Sequence, residues 1–562
     1  MLKRAILLLL LWAVNLIAFT ELQAQRQTSL TVSTQLSQDA SPPAPYEELV
    51  RLFFAWRKFQ APDMINGVPN YTAKAMEHQH RQLPQWQSRL AGIDTTGWSV
   101  AQQIDWYLVW AEMNGFDFEH RVTKPWSRDP AFYVWFYPSP TDVPEREGPN
   151  IHGNIELPNY QGPLSANDAM ELTDRLNKID EVYSQARENL TGGGRDLWIL
   201  GARRIREQSQ DLQTFAQSVV GTHMGLATAA LEARDASNRF AKWLDEQAST
   251  KTEPSGVGKE NYTWYLRKVH LVPHSWDDAV LLLKRELARA HSSLRLEENR
   301  NRHLPKLSQI KNARDYDSLL NKAVSEYMAF LTREEILPIK DYMDAALRAR
   351  IGSFEPSDGL RGFFSEITYR SPIIMRTHDY HWIDLARMRV EPHESPIRRT
   401  PLLYNIFDSR AEGMATAMEE MMMQAGFLDD KPRARELIWI LLAQRATRGL
   451  GGLYQHGLTM NFDQATLFAS KWTPWGLLPA DGITIQGEEH FYLQQPAYEV
   501  SYIIGKIEIE RLIAEYARQR EGKFVLKEFM DRFNQSGVIP MSLIYWELTS
   551  DRSMLDEAIV GP

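Results

Sequence analysis

The sequence predicts a mainly α-helical protein, a large multi-helix fold with few short strands in which two halves flank a central groove. Apolar residues recur every three to four positions along several long segments, which is the spacing of a buried helix face. Alternation typical of strands is scarce, and residues 483–485 are one candidate. The chain has 562 residues and no fixed-period repeat, which favours one large fold over an array of small modules.

The helical segments are separated by clear breaks. The spacing predicts helices in residues 46–60, 98–116, 166–247, 276–298, 313–350 and 500–520. A glycine run at residues 191–194 interrupts the third segment, and it lacks the lysine of a phosphate-binding loop. Ser275 is a predicted N-cap, because aspartates follow it in the first turn. Residues 125–163 and 354–364, rich in Pro, Gly and aromatic residues, predict irregular structure.

The N-terminus is typical of an export signal. Lys3 and Arg4 precede a short apolar run, and Ala24 offers a small residue for cleavage. We therefore predict a signal peptide at 1–24, a flexible tether at 25–45, an N-terminal helical half at 46–252 and a C-terminal half at 253–555. No second long apolar run follows, so we expect a periplasmic or extracellular protein without stable membrane insertion.

Charge and cysteine content exclude several functions. The net charge of −9 argues against a general nucleic-acid binder. The sequence contains no cysteine, which excludes thiol catalysis, Cys-ligated metals and a lipid anchor on cysteine. Any chemistry must therefore come from His, carboxylates, hydroxyls, Lys, Arg, or a metal held by nitrogen and oxygen ligands.

The densest set of candidate metal ligands is His378, His381 and Asp384. On a helix these residues follow each other at i,i+3 spacing and share a face. Imidazole and carboxylate groups at such spacing suit a divalent metal such as zinc, with a further ligand from a distant helix. The alternative is a polar helix face with ordinary hydrogen-bonded histidines.

Other candidates lie C-terminal to this cluster. Glu412 is a possible ligand from the next helix, whose methionines have the spacing of core residues. Arg448 and His456 could bind a carboxylate or an oxyanion, or could be charges beside a helix end. A further candidate segment contains the run Glu488-Glu489-His490 and continues to Tyr502. Its paired carboxylates beside a histidine could be ligands or a general base, or the run could be a solvated loop. The chain contains no H-E-x-x-H string and no G-x-S-x-G elbow.

At these positions the chain resembles the domain-of-unknown-function 885 (DUF885) family, which is mainly α-helical, mostly exported and zinc-metallopeptidase-like. The similarity covers residues 255–547. Residues 495–506 (QPAYEVSYIIGK) resemble the family's P-G-Q-A-x-S-Y-x-I-G-K segment, and residues 411–415 (AEGMA) resemble its E-G-W-A helix, with Glu419 as the second acid. Arg448 and His456 keep the family's Arg-to-His spacing.

The resemblance implies a zinc site. The family's H-E-x-x-P-G-H-H motif falls on residues 378–384, so His378 corresponds to the first ligand and Asp379 to the catalytic glutamate. Asp384 corresponds to a ligand histidine, His381 has no counterpart, and the Pro-Gly turn is missing. Asp379 would accept a proton from water, and Arg448, His456 or Tyr502 would stabilise the oxyanion or a substrate carboxylate.

Three functions follow as hypotheses. The first is an exported zinc-dependent hydrolase that acts on a peptide or small amide substrate, with His378, His381 or Asp384, and Glu412 as ligands. The second is a catalytically inactive relative that binds a peptide or glycan in the groove. The third is an iron or manganese enzyme that is not a hydrolase, because mixed His and carboxylate ligands also suit those metals.

Overall fold

The structure is a computed structural model that describes residues 45–160, 162–357 and 359–560. The predicted signal peptide and nearly all of the predicted tether lie outside the described residues. Leu49–Pro562 forms one compact unit, and Met1–Glu48 is a separate unit of which only residues 45–48 are described.

Helices dominate the chain, which confirms the predicted fold class. Up to residue 252 the α-helices are α1 (Pro45–Gln60), α2 (Ala73–Ala91), α3 (Val100–Phe118), α4 (Pro125–Arg128), α5 (Ala166–Leu176), α6 (Ile179–Asn189), α7 (Arg195–Val219) and α8 (Met224–Gln247). A π-helix (Glu119–Thr123) continues α3, and short 3-10 helices occupy Pro130–Tyr133, Leu157–Asn159 and Ala248–Thr250.

The C-terminal part is helical as well. Its α-helices are α9 (Lys259–Lys268), α10 (Trp276–Arg300), α11 (Ala313–Arg333), α12 (Asp341–Arg348), α13 (Phe363–Arg370), α14 (Pro372–His378), α15 (Tyr380–Val390), α16 (Asp408–Gln424), α17 (Pro432–His456), α18 (Phe462–Trp472), α19 (Ile483–Gln494), α20 (Tyr498–Gln519), α21 (Leu526–Gln535), α22 (Met541–Thr549) and α23 (Ser553–Val560). Short 3-10 helices occupy Leu403–Asn405 and Pro474–Gly476. Among the described helices, none is long and apolar enough to cross a membrane.

Strands are confined, within the described residues, to two small sheets. β1 (Met64–Ile65) pairs antiparallel with β2 (Val68–Pro69), and β3 (Phe136–Tyr137) pairs parallel with β4 (Ile155–Glu156). The strand predicted at residues 483–485 is wrong, because these residues begin α19. Ile483 is 82% exposed whereas Ile485 is fully buried, as expected when residues two apart lie on opposite sides of a helix.

The start of α10 confirms the predicted N-cap. The hydroxyl of Ser275 accepts a hydrogen bond from the Asp278 amide, and the Asp278 carboxylate accepts one from the Ser275 amide. This reciprocal pair satisfies two amides that the helix itself leaves without partners. Aspartates in the first turn also interact favourably with the helix dipole.

Helix α16 lies at the centre of the C-terminal part. Nearly all of its residues are buried, including acidic and basic side chains. It packs along α20, and its neighbours α14 and α17 contact it as well. Buried charges are costly unless they are paired, so the acids of α16 must have partners on the surrounding helices. The candidate site is built from these pairings.

Glu508, on α20, provides a pH-dependent prediction. It is 2% exposed, and neither carboxylate oxygen has a hydrogen-bond partner among the described residues. Burial raises its pKa to about 8. The folded protein therefore retains a proton that the unfolded chain releases above pH 4.5, and stability falls as pH rises from 4.5 to 8.

We expect Glu508→Gln to lose this part of the pH dependence. The difference in unfolding free energy between Glu508→Gln and the parent chain should shift in favour of the variant by about 4 kcal/mol from pH 5 to pH 9, measured by urea unfolding at both pH values. Glu521→Gln, which changes an exposed acid just beyond the same helix, is the control and should leave the profile unchanged. Parallel profiles for the parent chain and Glu508→Gln would contradict the prediction.

Candidate metal site

His378 and His381 lie on either side of a break between two helices. α14 ends at His378, Asp379 takes φ −62° and ψ 8°, and α15 begins at Tyr380. The Trp382 amide donates to the Asp379 carbonyl only three residues back, which tightens the turn. The prediction that His378 shares a helix face with His381 is therefore wrong, whereas His381 and Asp384 do lie three residues apart on α15. The two imidazole rings nevertheless lie close, with centroids 5.2 Å apart at an angle of 81°.

Helices α16 and α20 touch at two glycines next to Glu412. A Cβ atom on Gly413 would lie 2.6 Å from the Gly505 Cα atom, and one on Gly505 would collide with the Ser409 carbonyl oxygen. Only glycine permits this approach of two helix backbones. As a result Glu412, beside Gly413, meets α20 directly, and the Tyr498 hydroxyl donates a hydrogen bond to Glu412 Oε1.

The structure brings His378, His381 and Glu412 together. One potential ligand atom of each residue lies within 4.8 Å of those of the other two. His381 Nε2 and Glu412 Oε2 form an ion pair 3.2 Å apart, and neither atom has a further hydrogen-bond partner in the described parts of the chain. A buried imidazole and carboxylate that converge in this way also fit a bound cation, which would take the place of the His381 proton. Two histidines and one glutamate with an open position are a known ligand set of catalytic zinc.

His381 and Glu412 shift each other's pKa values in opposite directions. Burial lowers the pKa of His381, but Glu412 and Asp142 outweigh that effect and raise the pKa to about 9. For Glu412, burial raises the pKa, and His381 outweighs it and lowers the pKa to about 2. In the metal-free chain Glu412 is therefore a carboxylate and His381 an imidazolium at neutral pH, so a metal that binds both must displace the proton of His381.

The Nδ1 atom of His378 faces Glu419 and Arg445. It lies 3.2 Å from Glu419 Oε1 and 3.1 Å from Arg445 Nη2. Arg445 also donates two hydrogen bonds to the Glu419 carboxylate, at 2.7 and 2.8 Å. When Nδ1 carries the proton and donates to Glu419, Nε2 keeps a free lone pair. A metal on Nε2 requires this tautomer, and a carboxylate at the other ring nitrogen is its usual support. Arg445 can only donate, so its contact with Nδ1 favours the opposite tautomer and must give way to the hydrogen bond with Glu419 when a metal binds Nε2.

A cavity of about 880 Å³ opens beside these residues. Both predicted halves contribute to its wall, and His378, Asp379 and Glu412 are part of the lining. Asp142 and Glu147, from the irregular segment after β3, line it too. Burial and the nearby Asp142 raise the pKa of Glu147 to about 7. Neither acid could be identified from the sequence, because a segment without helix or strand periodicity does not indicate which part of the fold it contacts.

Asp384 is not part of the converging group. Its two carboxylate oxygens accept hydrogen bonds from Arg410 at 2.8 and 3.1 Å, and Arg387 donates another at 3.0 Å. These arginines lower the pKa of Asp384 despite its burial. Its lone pairs are thus used by an ion pair that ties α15 to α16.

The other predicted residues divide between cavity and core. Asp379, Arg448 and Tyr502 line the cavity. Burial raises the pKa of Asp379, and Oδ2 lies 2.9 Å from Arg376 Nη1. His456 is instead fully buried, with Nε2 2.8 Å from the carbonyl oxygen of Tyr492, and burial lowers its pKa to about 4. His456 is therefore neutral and held by the backbone behind the cavity wall.

Comparison with known proteins finds solved structures with a similar fold and does not indicate an activity. No family model and no curated protein matches the chain. Among solved structures, it is similar to "a putative lipoprotein of unknown function" from Shewanella oneidensis, with TM-score 0.66 and 15% identity over 90% of this chain and 100% of that one. A "putative lipoprotein" from Colwellia psychrerythraea gives TM-score 0.65 and 13% identity over 92% and 100%. At such low identity the likeness concerns the fold alone.

Proposed function

We propose that the chain is an exported, divalent-metal-dependent hydrolase, with zinc as the metal and peptide or amide bonds as the substrate class. The observation that carries this proposal is the convergence of His378, His381 and Glu412, whose potential ligand atoms lie within 4.8 Å of one another at the wall of a large cavity. Three nitrogen and oxygen ligands leave a position open for a reactant.

The residues around the ligands suit hydrolysis. A zinc ion held there would act as a Lewis acid and make water more acidic. Asp379 lines the cavity next to His378, and burial raises its pKa, which makes its carboxylate a better proton acceptor. Tyr498 donates to Glu412 and so fixes the orientation of the carboxylate that faces His381.

The sequence supports the same proposal. Residues 255–547 resemble the zinc-metallopeptidase-like DUF885 family, and Glu412 falls in the segment that resembles the family's E-G-W-A helix. The N-terminal basic and apolar stretch supports export. Both arguments come from the sequence and are independent of the distances around His381.

A second candidate is a non-haem iron enzyme. Two histidines and one carboxylate with open positions are also the ligand set of iron(II) oxygenases. The identity of the metal in the protein as isolated separates the two proposals, and oxygen consumption with iron bound would favour the second. An inactive binding protein is a further candidate. The ion pair of Asp379 with Arg376 favours it, because that pair engages the carboxylate that would accept the proton.

The first experiment measures metal stoichiometry and affinity. We expect the parent chain to bind one zinc ion. Loss of a residue that only hydrogen-bonds to a ligand typically lowers metal affinity roughly 10–100-fold. Glu412→Gln and His381→Ala change ligands themselves, so we expect a larger loss of zinc affinity in both. His303→Ala, which removes an exposed histidine, is the matched control and should bind normally. Glu412→Gln preserves the side-chain shape and the acceptor for Tyr498, so folding should be retained.

Hydrolysis is then measured on a peptide library with zinc, cobalt or manganese. Cleavage that disappears in Glu412→Gln and persists in His303→Ala supports the hydrolase. Stoichiometric metal without cleavage of any peptide indicates a binding protein. Failure of the parent chain to hold stoichiometric metal under any loading condition would end the proposal.

A further inference from the structure

Arg448 lies in the wall of the same cavity, enclosed by aromatic rings. Its guanidinium carbon is 4.3 Å from the centroid of Tyr502 and 5.9 Å from that of Tyr492. The side chain is 1% exposed, and its Nη1 atom pairs with Glu488. Cation–π contacts and one carboxylate therefore fix the plane of the guanidinium.

The opposite edge of this guanidinium has no partner. Nε and Nη2 are buried and make no hydrogen bond to any described residue, and the same holds for the Tyr492 hydroxyl. Tyr492 is fully buried, and burial raises its pKa, so its hydroxyl keeps the proton and remains a donor. Buried donors are normally satisfied, so unpartnered donors on two neighbouring residues of one cavity indicate a missing acceptor.

We infer that the cavity binds a carboxylate group of its ligand, held by the Nε–Nη2 edge of Arg448 and by the hydroxyl of Tyr492. A planar carboxylate matches one edge of a guanidinium with two parallel hydrogen bonds. A phosphate, with its higher charge, is disfavoured here, because Asp142, Glu147 and Glu488 line the same cavity.

Two tyrosines connect this anchor to the proposed metal ligands. The Tyr502 ring lies under Arg448, the Tyr502 hydroxyl donates to the Tyr498 hydroxyl at 3.3 Å, and Tyr498 donates to Glu412. Resting on the proposed hydrolase function, this arrangement places a free carboxylate near the bond that is cleaved. The substrate class is then peptides or N-acyl amino acids cleaved next to a terminal carboxylate.

The test is equilibrium binding to the metal-free protein, so that it does not depend on hydrolysis or on zinc. The probes are N-acetylphenylalanine and its amide, which differ only in the carboxylate. We expect the acid to bind at least about tenfold more tightly than the amide, as one charge-assisted bidentate contact provides. Arg448→Met should remove this preference, and Tyr492→Phe should reduce it several-fold.

Controls separate a local effect from misfolding. Arg203→Met and Tyr137→Phe change an arginine and a tyrosine of the same cavity wall whose polar groups already have partners, Gln486 and Asn150, and should keep the preference. Arg448→Lys keeps the charge without the planar fork, so it should fold and still lose most of the preference. Thermal melts of each variant verify that it is folded.

Several results would overturn the inference. These are equal affinity for acid and amide, binding of neither probe at millimolar concentration, an unchanged preference in folded Arg448→Lys and Tyr492→Phe, or inorganic phosphate binding as tightly as the acid. Metal stoichiometry is measured separately, so failure of the carboxylate site and failure of the hydrolase proposal remain distinguishable.

Discussion

Gly505→Ala is expected to destabilise the protein by about 3 kcal/mol, because the added methyl group has no space between α16 and α20. It would collide with the Ser409 carbonyl oxygen and lie 2.8 Å from the Gly413 Cα atom. Both neighbours are backbone atoms of a buried helix and cannot rotate away. The loss of stability therefore lies at the upper end of the range of about 1–3 kcal/mol that is typical of overpacked cores. It exceeds the roughly 1 kcal/mol that alanine gains over glycine inside a helix.

Urea unfolding measures this change, and Gly487→Ala is the matched control. Gly487 also lies within a helix, but nothing approaches its hypothetical Cβ within 4 Å. That variant should be stabilised by up to about 1 kcal/mol, the opposite sign. Equal stability of Gly505→Ala and the parent chain would show that the two helices are farther apart than described.

Arg398→Met is the second large effect, with an expected loss of about 3–5 kcal/mol. Arg398 is 1% exposed and donates to Asp105 at 2.7 Å and to Glu547 at 2.9 Å, so it ties α3 to α22. Methionine fills similar volume but removes the guanidinium that pairs with the buried Asp105 carboxylate. An uncompensated buried charge is the main cost of breaking such a pair.

The neighbouring residue provides the control. Arg399 is exposed and makes a single hydrogen bond to the Glu394 carbonyl, so Arg399→Met should change stability by less than about 0.5 kcal/mol. Adding Asp105→Asn to Arg398→Met should recover part of the loss, because it removes the buried negative charge that Arg398 compensates in the parent chain. Additive losses in the double variant, measured by urea unfolding, would refute this explanation.

Helices could be predicted where periodicity and caps agree. Ser275 with Asp278 marks the start of α10 in the sequence, and the structure has the same reciprocal cap. Periodicity could not assign residues 483–485 correctly, because three residues with alternating polarity fit either a strand or one helical turn. The break at Asp379 was equally hidden, because a single residue with ψ near 0° leaves no periodic signal.

The candidate site was predictable in part, for a similar reason. Residue types and spacing singled out His378, His381 and Glu412, which the structure brings together. The same spacing also pointed to Asp384, and only the tertiary contact with Arg410 shows that its oxygens are engaged elsewhere. Asp142 and Tyr492 could not be found from the sequence, since their proximity depends on distant segments meeting around the cavity.

The distribution of these residues along the chain has an evolutionary consequence. The three proposed ligands lie between residues 378 and 412, whereas the cavity wall draws on segments as far apart as Asp142 and Tyr502. Substitutions in the wall can therefore alter which molecules fit while leaving the ligand set intact. A lineage with this fold can thus diversify the ligands of the cavity without passing through forms that have lost the three proposed ligands of the metal.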